Sequence, residues 1–224
     1  MAEKFKVVEI FESINGEGMR AGELAVFVRM QGCNLCCNYC DTAWANVSDA
    51  EYREMTIDEI MKEIAKYGVG NITLTGGEPL FRDGIKELML AMANAGYHVE
   101  VETNGSISLE SYIGLSSEIS YTMDYKLAGS GMEDKMCLAN FRILRPNAGD
   151  IVKFVVSGRD DLEKAYRLAK EHLHPREIRF LLSPVFGRIE PEDIVKFMRE
   201  KRWTEARLQI QMHKVIWDPE RKGV

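Results

Sequence analysis

The sequence lacks long hydrophobic runs and any excess of positive charge. Its longest uninterrupted apolar run, residues 88–93, is far shorter than the roughly 20 apolar residues that a membrane-spanning helix needs. The 35 acidic residues outnumber the 29 basic ones, so the chain does not have the basic surface typical of nucleic-acid binding. Acidic residues interrupt the apolar stretch at the N-terminus, a pattern that argues against a signal peptide there. We therefore expect no direct contact with membranes or nucleic acid.

Linkers, internal repeats and low-complexity segments are also missing. Hydrophobic residues make up 46% of the 224 positions and charged residues 29%, which excludes a disordered or fibrous chain. This length is sufficient for a hydrophobic core that needs no disulfides. The odd number of cysteines, five, favours a reducing compartment. The sequence thus predicts one cytoplasmic domain spanning residues 1–224.

Strand and helix periodicities alternate along the chain. Strands are predicted at residues 7–14, 24–30, 71–75, 97–103, 118–125, 151–157, 177–183 and 207–213. Helices are predicted at residues 57–65, 85–93, 134–144, 162–169 and 191–198, and Thr56 and Glu59 form a capping box before the first. Strands separated by helical segments indicate βαβ units and a parallel sheet. About six such units are too few for an eight-fold barrel, so they predict a single α/β domain with a parallel sheet.

Four of the five cysteines lie within eight positions, at Cys33, Cys36, Cys37 and Cys40. They form C-x3-C-x2-C if Cys36 is omitted and C-x2-C-x3-C if Cys37 is omitted. A structural zinc site usually has four protein ligands, and the remaining cysteine, Cys137, lies in a separate helical stretch. Three thiolates without a fourth suit a [4Fe–4S] cluster with one open iron. The spacing alone leaves an iron–sulfur cluster and other metal or redox roles open.

The surroundings of these cysteines resemble the radical S-adenosylmethionine (SAM) superfamily. The cysteine loop follows predicted strand 24–30, a functional position in parallel α/β folds. Tyr39 precedes the third cysteine of the C-x3-C-x2-C pattern, and Asp41-Thr42 follow it. A Gly-Gly-Glu-Pro stretch at residues 76–79 comes directly after strand 71–75. The alternation of strands and helices also matches the fold of this superfamily, which implies an α/β fold with a partial (β/α)6-type barrel that opens at the carboxyl ends of its strands.

This resemblance implies that Cys33, Cys37 and Cys40 hold a [4Fe–4S] cluster and that Cys36 is a packing residue. The open iron would bind the amino and carboxylate groups of SAM, and the glycines would let the backbone approach that amino group. The residues implied to contact SAM are Tyr39, Cys40, Asp41, Gly77, Asp124, Tyr125, Lys126 and Ser183.

Further motifs resemble the 7-carboxy-7-deazaguanine synthase family of queuosine biosynthesis. They are ESINGEG at residues 12–18, TGGEP at 75–79, ETNG at 102–105 and QMHK at 211–214. The N-terminal motif is the most discriminating, because the whole superfamily shares the cysteine pattern. Asn15 departs from the family, which often has glutamine there, but both side chains offer an amide donor and acceptor.

The second resemblance implies a lyase that converts 6-carboxy-5,6,7,8-tetrahydropterin into 7-carboxy-7-deazaguanine and ammonia. A flavodoxin- or ferredoxin-type donor would reduce the cluster, and SAM would then be cleaved to methionine and a 5′-deoxyadenosyl radical. That radical would abstract hydrogen from C6 of the substrate, the ring would contract, and SAM would be regenerated as a cofactor. Mg²⁺ is the third cofactor that the resemblance implies, and a homodimer is the implied assembly.

The same resemblance implies a substrate site. The implied substrate-binding residues are Ile14, Asn15, Gly16, Arg29 and Thr75. The guanidinium fork of Arg29 would pair with the substrate carboxylate. The hydroxyl of Thr42 would bind Mg²⁺, which prefers hard oxygen ligands. We further expect the carboxylate of Val224 to approach the magnesium or the substrate, whereas His213 and Lys214 receive no role.

Two other functions remain alternatives at this point. A glycyl-radical enzyme activase shares the cysteine motif and a similar size, and its substrate would be a backbone glycine of another protein. A non-enzymatic zinc or redox-sensing module would use the cysteines without SAM.

Overall fold

The structure, a computed structural model, describes residues 3–173, 178–219 and 221–224, and a nine-stranded sheet organises them. The strands are β1 Phe5–Ile14, β2 Leu24–Met30, β3 Arg53–Met55, β4 Asn71–Gly76, β5 His98–Thr103, β6 Ile119–Lys126, β7 Ile151–Val156, β8 Arg179–Pro184 and β9 Ala206–Leu208. Their order is β3-β1-β2-β4-β5-β6-β7-β8-β9. β1 is antiparallel to β2 and β3, and every other neighbouring pair is parallel. β3 and β9 are separate edges, so the predicted partial barrel is confirmed as an open one.

Six α-helices are found in the described residues: α1 Ile57–Ala65, α2 Ile85–Asn94, α3 Asn140–Ile143, α4 Arg159–Leu168, α5 Pro191–Lys201 and α6 His213–Ile216. The predicted capping box begins α1, since Thr56 accepts from the backbone of Glu59 and Glu59 accepts from the backbone of Thr56. Pro191 occupies the first turn of α5, where its missing N–H costs nothing. Within the part of the chain that is described, no helix is both long and apolar enough to cross a membrane.

The helix predicted at residues 134–144 is confirmed only at Asn140–Ile143 and is wrong over the rest of its length. This segment forms a 3-10 turn at Glu133–Lys135 and the single helical turn α3. Asn140 is fully buried there, and its side chain donates to the carbonyl oxygens of Gly105 and Ile107 and accepts from the N–H of Leu109. Because this asparagine serves the backbone of a neighbouring loop, the segment follows that loop instead of continuing as a helix.

The predicted strand at residues 207–213 is wrong beyond Leu208, where β9 ends. The Gln209 side chain accepts from the N–H of Gly18 at 2.8 Å and donates to its carbonyl at 3.0 Å. These bonds turn the chain toward the loop after β1, and α6 begins at His213. The strand predicted at 177–183 is β8, beginning at Arg179, while residue 177 lies outside the described residues.

Side chains of the parallel strands alternate between a helix-covered face and a polar inner face. On β4, Ile72 and Leu74 are buried in the main core, with Thr73 and Thr75 on the opposite side. On the outer face α2 packs against β5 and α4 against β7. The inner face carries charged residues at the carboxyl ends of β5 and β6 and within β7, namely Glu102, Asp124, Lys126 and Lys153. The fold therefore surrounds a polar cavity.

Candidate active site

A cavity of about 470 Å³ lies at the carboxyl ends of the parallel strands. Its walls come from the loop after β1, the loop after β2, the ends of β4 to β8, and the C-terminal segment. This edge of a parallel α/β sheet is where chemistry is expected, because loops from several strands converge there.

Three of the four clustered cysteines face this cavity. Cys33, Cys37 and Cys40 line it and are half-buried, whereas Cys36 is exposed and does not line it. Burial raises the pKa of the Cys33 and Cys37 thiols. The cavity thus brings together the three cysteines of the C-x3-C-x2-C pattern, and their role as cluster ligands stays a prediction.

The thiol arrangement fits a cluster better than a single metal ion. Among the described residues, no three His, Cys, Asp or Glu side chains converge closely enough to hold one ion. A zinc ion needs its ligands gathered around one point, whereas each cysteine of a [4Fe–4S] cluster binds a different iron. Three cysteines on one wall, facing an open cavity, leave room for a cluster and for a ligand on its fourth iron.

The Gly-Gly turn after β4 packs directly on the chain that leads into the cysteine loop. Gly76 has a φ of 139°, which favours glycine. A Cβ atom at Gly76 would overlap the Met30 backbone, and one at Gly77 would overlap the carbonyl oxygen of Gly32. The Gly77 N–H donates to Met30 at 3.2 Å. Both positions therefore require glycine for close packing of the two backbones. Gly77 also lines the cavity, where the lack of a side chain lets a ligand approach its backbone.

The β1–β2 wall of the cavity combines a cation with two aromatic rings. Arg29 donates from Nε to Glu9 Oε1 at 2.7 Å, and its terminal nitrogens form no hydrogen bond with the described residues. The rings of Phe11 and Phe27 are stacked with centroids 5.1 Å apart. All four residues line the cavity, and at the end of β4 Thr75 lines it too while donating to Glu102 at 2.7 Å. This wall suits a flat molecule that carries an anionic group.

Lys153 is the centre of a buried charge network. Its Nζ lies 3.0 Å from both Glu17 Oε2 and Asp124 Oδ1, and only 6% of the residue is exposed. Lys126 Nζ pairs with the other Asp124 oxygen at 2.9 Å. Burial opposes charge on Lys153, but the surrounding carboxylates outweigh it and raise the lysine pKa well above its ordinary value. Burial likewise raises the pKa of Asp124, and the two lysines outweigh it, so the net pKa is lowered.

The predicted SAM-contacting residues fall into two groups. Tyr39, Cys40, Asp41, Gly77, Asp124 and Lys126 line the cavity. The Tyr125 side chain lies on the opposite face of β6, stacked on Phe141 in the core, so only its backbone could reach a ligand. Ser183 is buried and donates its hydroxyl to Glu17, so this serine supports the charge network.

The predicted substrate-binding residues also fall into two groups, those that line the cavity and one that lies beneath it. Ile14, Gly16, Arg29 and Thr75 line the cavity together with the predicted magnesium ligand Thr42, whose Oγ1 lies 3.6 Å from Cys40 Sγ. Asn15 is 3% exposed and does not line it; its Oδ1 accepts from Thr73 at 2.6 Å. The amide of Asn15 thus holds β1 to β4 beneath the site.

The C-terminal segment closes one side of the cavity. His213 lies against Gly16, and burial lowers the pKa of its imidazole. Lys222 Nζ lies 3.9 Å from the centre of the Trp44 ring. Val224 lines the cavity, as the expectation for its carboxylate requires, and the role of that carboxylate stays a prediction.

Sequence reasoning assigned no role to Glu17, Lys153 or Glu102. Glu17 and Glu102 belong to motifs that carried the resemblance, so their motif membership was an available signal. Lys153 stands within the apolar strand β7, where a lone lysine is an unusual residue that indicates a buried partner. The partners themselves come from distant parts of the chain.

Comparisons with known proteins define the class first. The sequence profile of the Radical SAM superfamily matches residues 27–119, which include the cysteine loop and the Gly-Gly turn. The crystal structure of QueE from Escherichia coli aligns with a TM-score of 0.73 at 20% identity, covering 94% of this chain and 95% of that one. Streptococcus suis SuiB bound to S-adenosylmethionine aligns with a TM-score of 0.55 at 14% identity, covering 80% and 48%. The fold and the cavity are those of a radical SAM protein, a class whose cofactors are a [4Fe–4S] cluster and SAM.

More similar relatives define the family. The chain is 51% identical to the 7-carboxy-7-deazaguanine synthase of Clostridium acetobutylicum, over 98% of this chain and 99% of that one. It is 35% identical to the enzyme of the same name from Leptospira interrogans, over 97% and 98%. The chain belongs to the 7-carboxy-7-deazaguanine synthase family and is a radical SAM lyase. Neither the activase nor the zinc-module alternative is supported.

Proposed function

We propose that this chain converts 6-carboxy-5,6,7,8-tetrahydropterin into 7-carboxy-7-deazaguanine, with SAM, a [4Fe–4S] cluster and Mg²⁺ as cofactors. One observation carries the proposal: Cys33, Cys37 and Cys40 face the same cavity as Arg29 and Thr75. Family membership then supplies the reaction, because the named relatives are 7-carboxy-7-deazaguanine synthases over nearly their whole length.

Cys33, Cys37 and Cys40 would hold the cluster through their thiolates and leave one iron without a protein ligand. When bound, the reduced cluster would supply the electron for cleavage of SAM, and SAM would supply the abstraction of hydrogen from C6 of the substrate. Cys36 does not line the cavity and is exposed, so it would remain a bystander.

SAM would be bound by side chains around the cluster side of the cavity. Tyr39 and Asp41 flank Cys40, and Gly77 offers backbone groups. The Asp124 carboxylate can accept hydrogen bonds from hydroxyl or amino groups of SAM, and the Lys126 ammonium group can donate to its oxygens. Tyr125 would contribute only its backbone, and Ser183 would act through Glu17.

The substrate would lie against the β1–β2 wall. The terminal nitrogens of Arg29 are available for the substrate carboxylate, and Glu9 fixes the orientation of the guanidinium group. Ile14, Gly16 and Thr75 would contact the bicyclic ring, with Asn15 supporting them from below.

Thr42 would contribute a hydroxyl to Mg²⁺, beside waters and substrate oxygens. The Asp41 carboxyl is adjacent to Thr42. Desolvation raises the pKa of this carboxyl, but Lys214 outweighs desolvation, so the net pKa is lowered.

The proposal further includes a flavodoxin- or ferredoxin-type electron donor, a homodimeric assembly, a cytoplasmic location and one domain over residues 1–224. Light scattering of the purified protein tests the dimer.

Anaerobic incubation with SAM, a reductant, Mg²⁺ and the carboxytetrahydropterin tests the function. We expect 7-carboxy-7-deazaguanine and ammonia, and no product from a Cys40→Ala variant, which cannot complete the cluster. The Cys36→Ala variant is the matched control and should retain both the cluster and turnover. SAM cleavage without deazaguanine would show a radical enzyme with another substrate.

A further inference from the structure

The loop after β5 brings Asn104 to one of the three cysteines that face the cavity. This asparagine belongs to the Glu-Thr-Asn-Gly motif at residues 102–105, and only 7% of it is exposed. Its Nδ2 atom lies 3.5 Å from Cys33 Sγ. The backbone N–H of Leu35 donates to the same sulfur at 3.4 Å. Cys33 therefore has two N–H donors, one from its own loop and one from a distant side chain.

The orientation of the Asn104 amide is fixed by its other partners. Its Oδ1 accepts from the backbone N–H of Ser106 at 3.0 Å and from the Ser106 hydroxyl at 2.6 Å. A backbone N–H can only donate, so the oxygen of the amide must face Ser106. The NH₂ group consequently faces Cys33, and its second hydrogen goes to Asn34 Oδ1 at 2.9 Å.

The backbone of Asn104 is also fixed by a hydrogen bond. Its N–H donates to Glu78 Oε2 at 2.6 Å, and Glu78 also accepts from the hydroxyl of Thr103 at 2.8 Å. Glu78 is fully buried and comes from the Gly-Gly-Glu-Pro turn. Asn34 completes a ring by donating to the Ser106 hydroxyl at 2.8 Å. An amide held at both ends loses little freedom when it donates to the sulfur, which favours a persistent bond.

We propose that Asn104 is a positioning residue that donates a hydrogen bond to the Cys33 thiolate and thereby raises the reduction potential of the cluster. The inference rests on the proposed role of Cys33 as a ligand. Hydrogen bonds to cluster sulfurs and burial are the means by which a protein sets this potential. A donor stabilises the more negative, reduced form more than the oxidised one, so its removal lowers the potential.

Redox titration of the reconstituted holoenzyme, followed by the EPR signal of the reduced cluster, tests the inference. In Asn104→Ala, the ratio of reduced to oxidised cluster at a fixed applied potential should fall about tenfold, equivalent to about 59 mV for one electron. Asn104→Gln keeps an amide donor and should recover part of the shift. If the alanine variant loses its cluster, Asn104→Ser provides a second variant that removes the amide donor.

Asn140→Ala is the matched control, because Asn140 supports the same loop through Gly105 and Ile107 without reaching Cys33. Its cluster should keep the wild-type potential. An unchanged potential in a fully loaded Asn104→Ala enzyme would overturn the inference, as would an equal shift in Asn140→Ala. A wild-type chain that binds no four-iron cluster would instead refute the proposed function.

Discussion

Single side chains in the cavity are oriented by partners on other strands. Arg29 of β2 is held by Glu9 of β1, Thr75 of β4 donates to Glu102 of β5, and Asp124 of β6 pairs with Lys153 of β7. Their residue types were predictable, since three thiols, a guanidinium group and a hydroxyl at strand ends indicate ligand binding. Their partners were not, because pairing depends on which strands become neighbours in the sheet.

Replacing Arg29 with lysine keeps the positive charge but removes the bidentate fork. We expect kcat/KM for the carboxytetrahydropterin to fall roughly 10- to 100-fold, because a hydrogen bond to a charged group contributes about 1.5–3 kcal/mol. Most of the change should appear in KM, and the affinity for SAM should stay unchanged. Steady-state kinetics and SAM binding measure both.

The exposed Arg207 provides a matched Arg→Lys control, which should leave kcat/KM at the wild-type value. A tetrahydropterin analogue without the carboxylate adds a second comparison, since the Arg29 variant should lose its preference for the acid. Unchanged kinetics in Arg29→Lys would contradict the assigned role.

Glu100 predicts a pH dependence of stability. It is 4% exposed, and burial raises its pKa from the ordinary 4.5 to about 7. Between these values the folded protein holds a proton that the unfolded chain has released, so stability falls as the pH rises through this window. The loss reaches roughly 3 kcal/mol above pH 7, since one pKa unit corresponds to about 1.4 kcal/mol.

Urea unfolding of Glu100→Gln at pH 5 and pH 8 measures this effect. The neutral amide keeps a group that can bond to Thr122, so the variant should gain stability over wild type at pH 8 and little at pH 5. Glu110→Gln, at an exposed position, should show no such difference. Equal effects of Glu100→Gln at both pH values would refute the raised pKa.

At the scale of elements, the strands and the long helices could be predicted from periodicity. Segments whose side chains hydrogen-bond to distant loops could not. The strand predicted at 24–30 coincides with β2, and the predicted capping box begins α1. The helix predicted at 134–144 forms only at Asn140–Ile143, and residues 209–213 are not a strand, because Asn140 and Gln209 bond to backbone far away in sequence. Hydrophobic periodicity shows which face of a helix or strand is buried. It gives no indication that a side chain will form hydrogen bonds to the backbone of a distant loop.

The ends of β1, β6, β7 and β8 are joined by the Lys153 network. Glu17 follows β1, receives Lys153 from β7 and accepts from Ser183 of β8, while Asp124 comes from β6. Among the described residues, Lys153 is the only cation that contacts both acids, so Lys153→Met leaves two largely buried carboxylates poorly compensated. We expect the free energy of unfolding to fall by about 3–5 kcal/mol.

Lys170→Met is the control, because Lys170 pairs with Glu205 on the surface at 2.9 Å. The free energy of unfolding of the Lys170→Met variant should fall by less than about 1 kcal/mol. Denaturant unfolding compares the two variants, and the Glu17→Gln, Lys153→Met double variant should lose less than the sum of the single ones. Equal losses from Lys153→Met and Lys170→Met would show that the network contributes little.

Across the whole molecule, the open barrel provides one cavity in which a chain of this size can hold a cluster, SAM and a substrate. The outer face is covered by helices and supplies the core, which frees the inner face for polar groups. The antiparallel β1 extends the sheet so that Arg29 and Glu9 face the same cavity as the cysteines. The alternating periodicities predicted a parallel α/β sheet with too few units for a complete barrel. The antiparallel edge was not predicted, although the nine residues between predicted strands 7–14 and 24–30 are too few for a parallel crossover connection.

The most direct test of the central claim is to follow deuterium from C6 of labelled 6-carboxy-5,6,7,8-tetrahydropterin under anaerobic turnover. The account predicts that 7-carboxy-7-deazaguanine forms and that mass spectrometry finds deuterium at the 5′ carbon of recovered SAM, because hydrogen is abstracted from C6 and SAM is regenerated. Deazaguanine formed with no label in SAM, or SAM consumed with no deazaguanine, would contradict it.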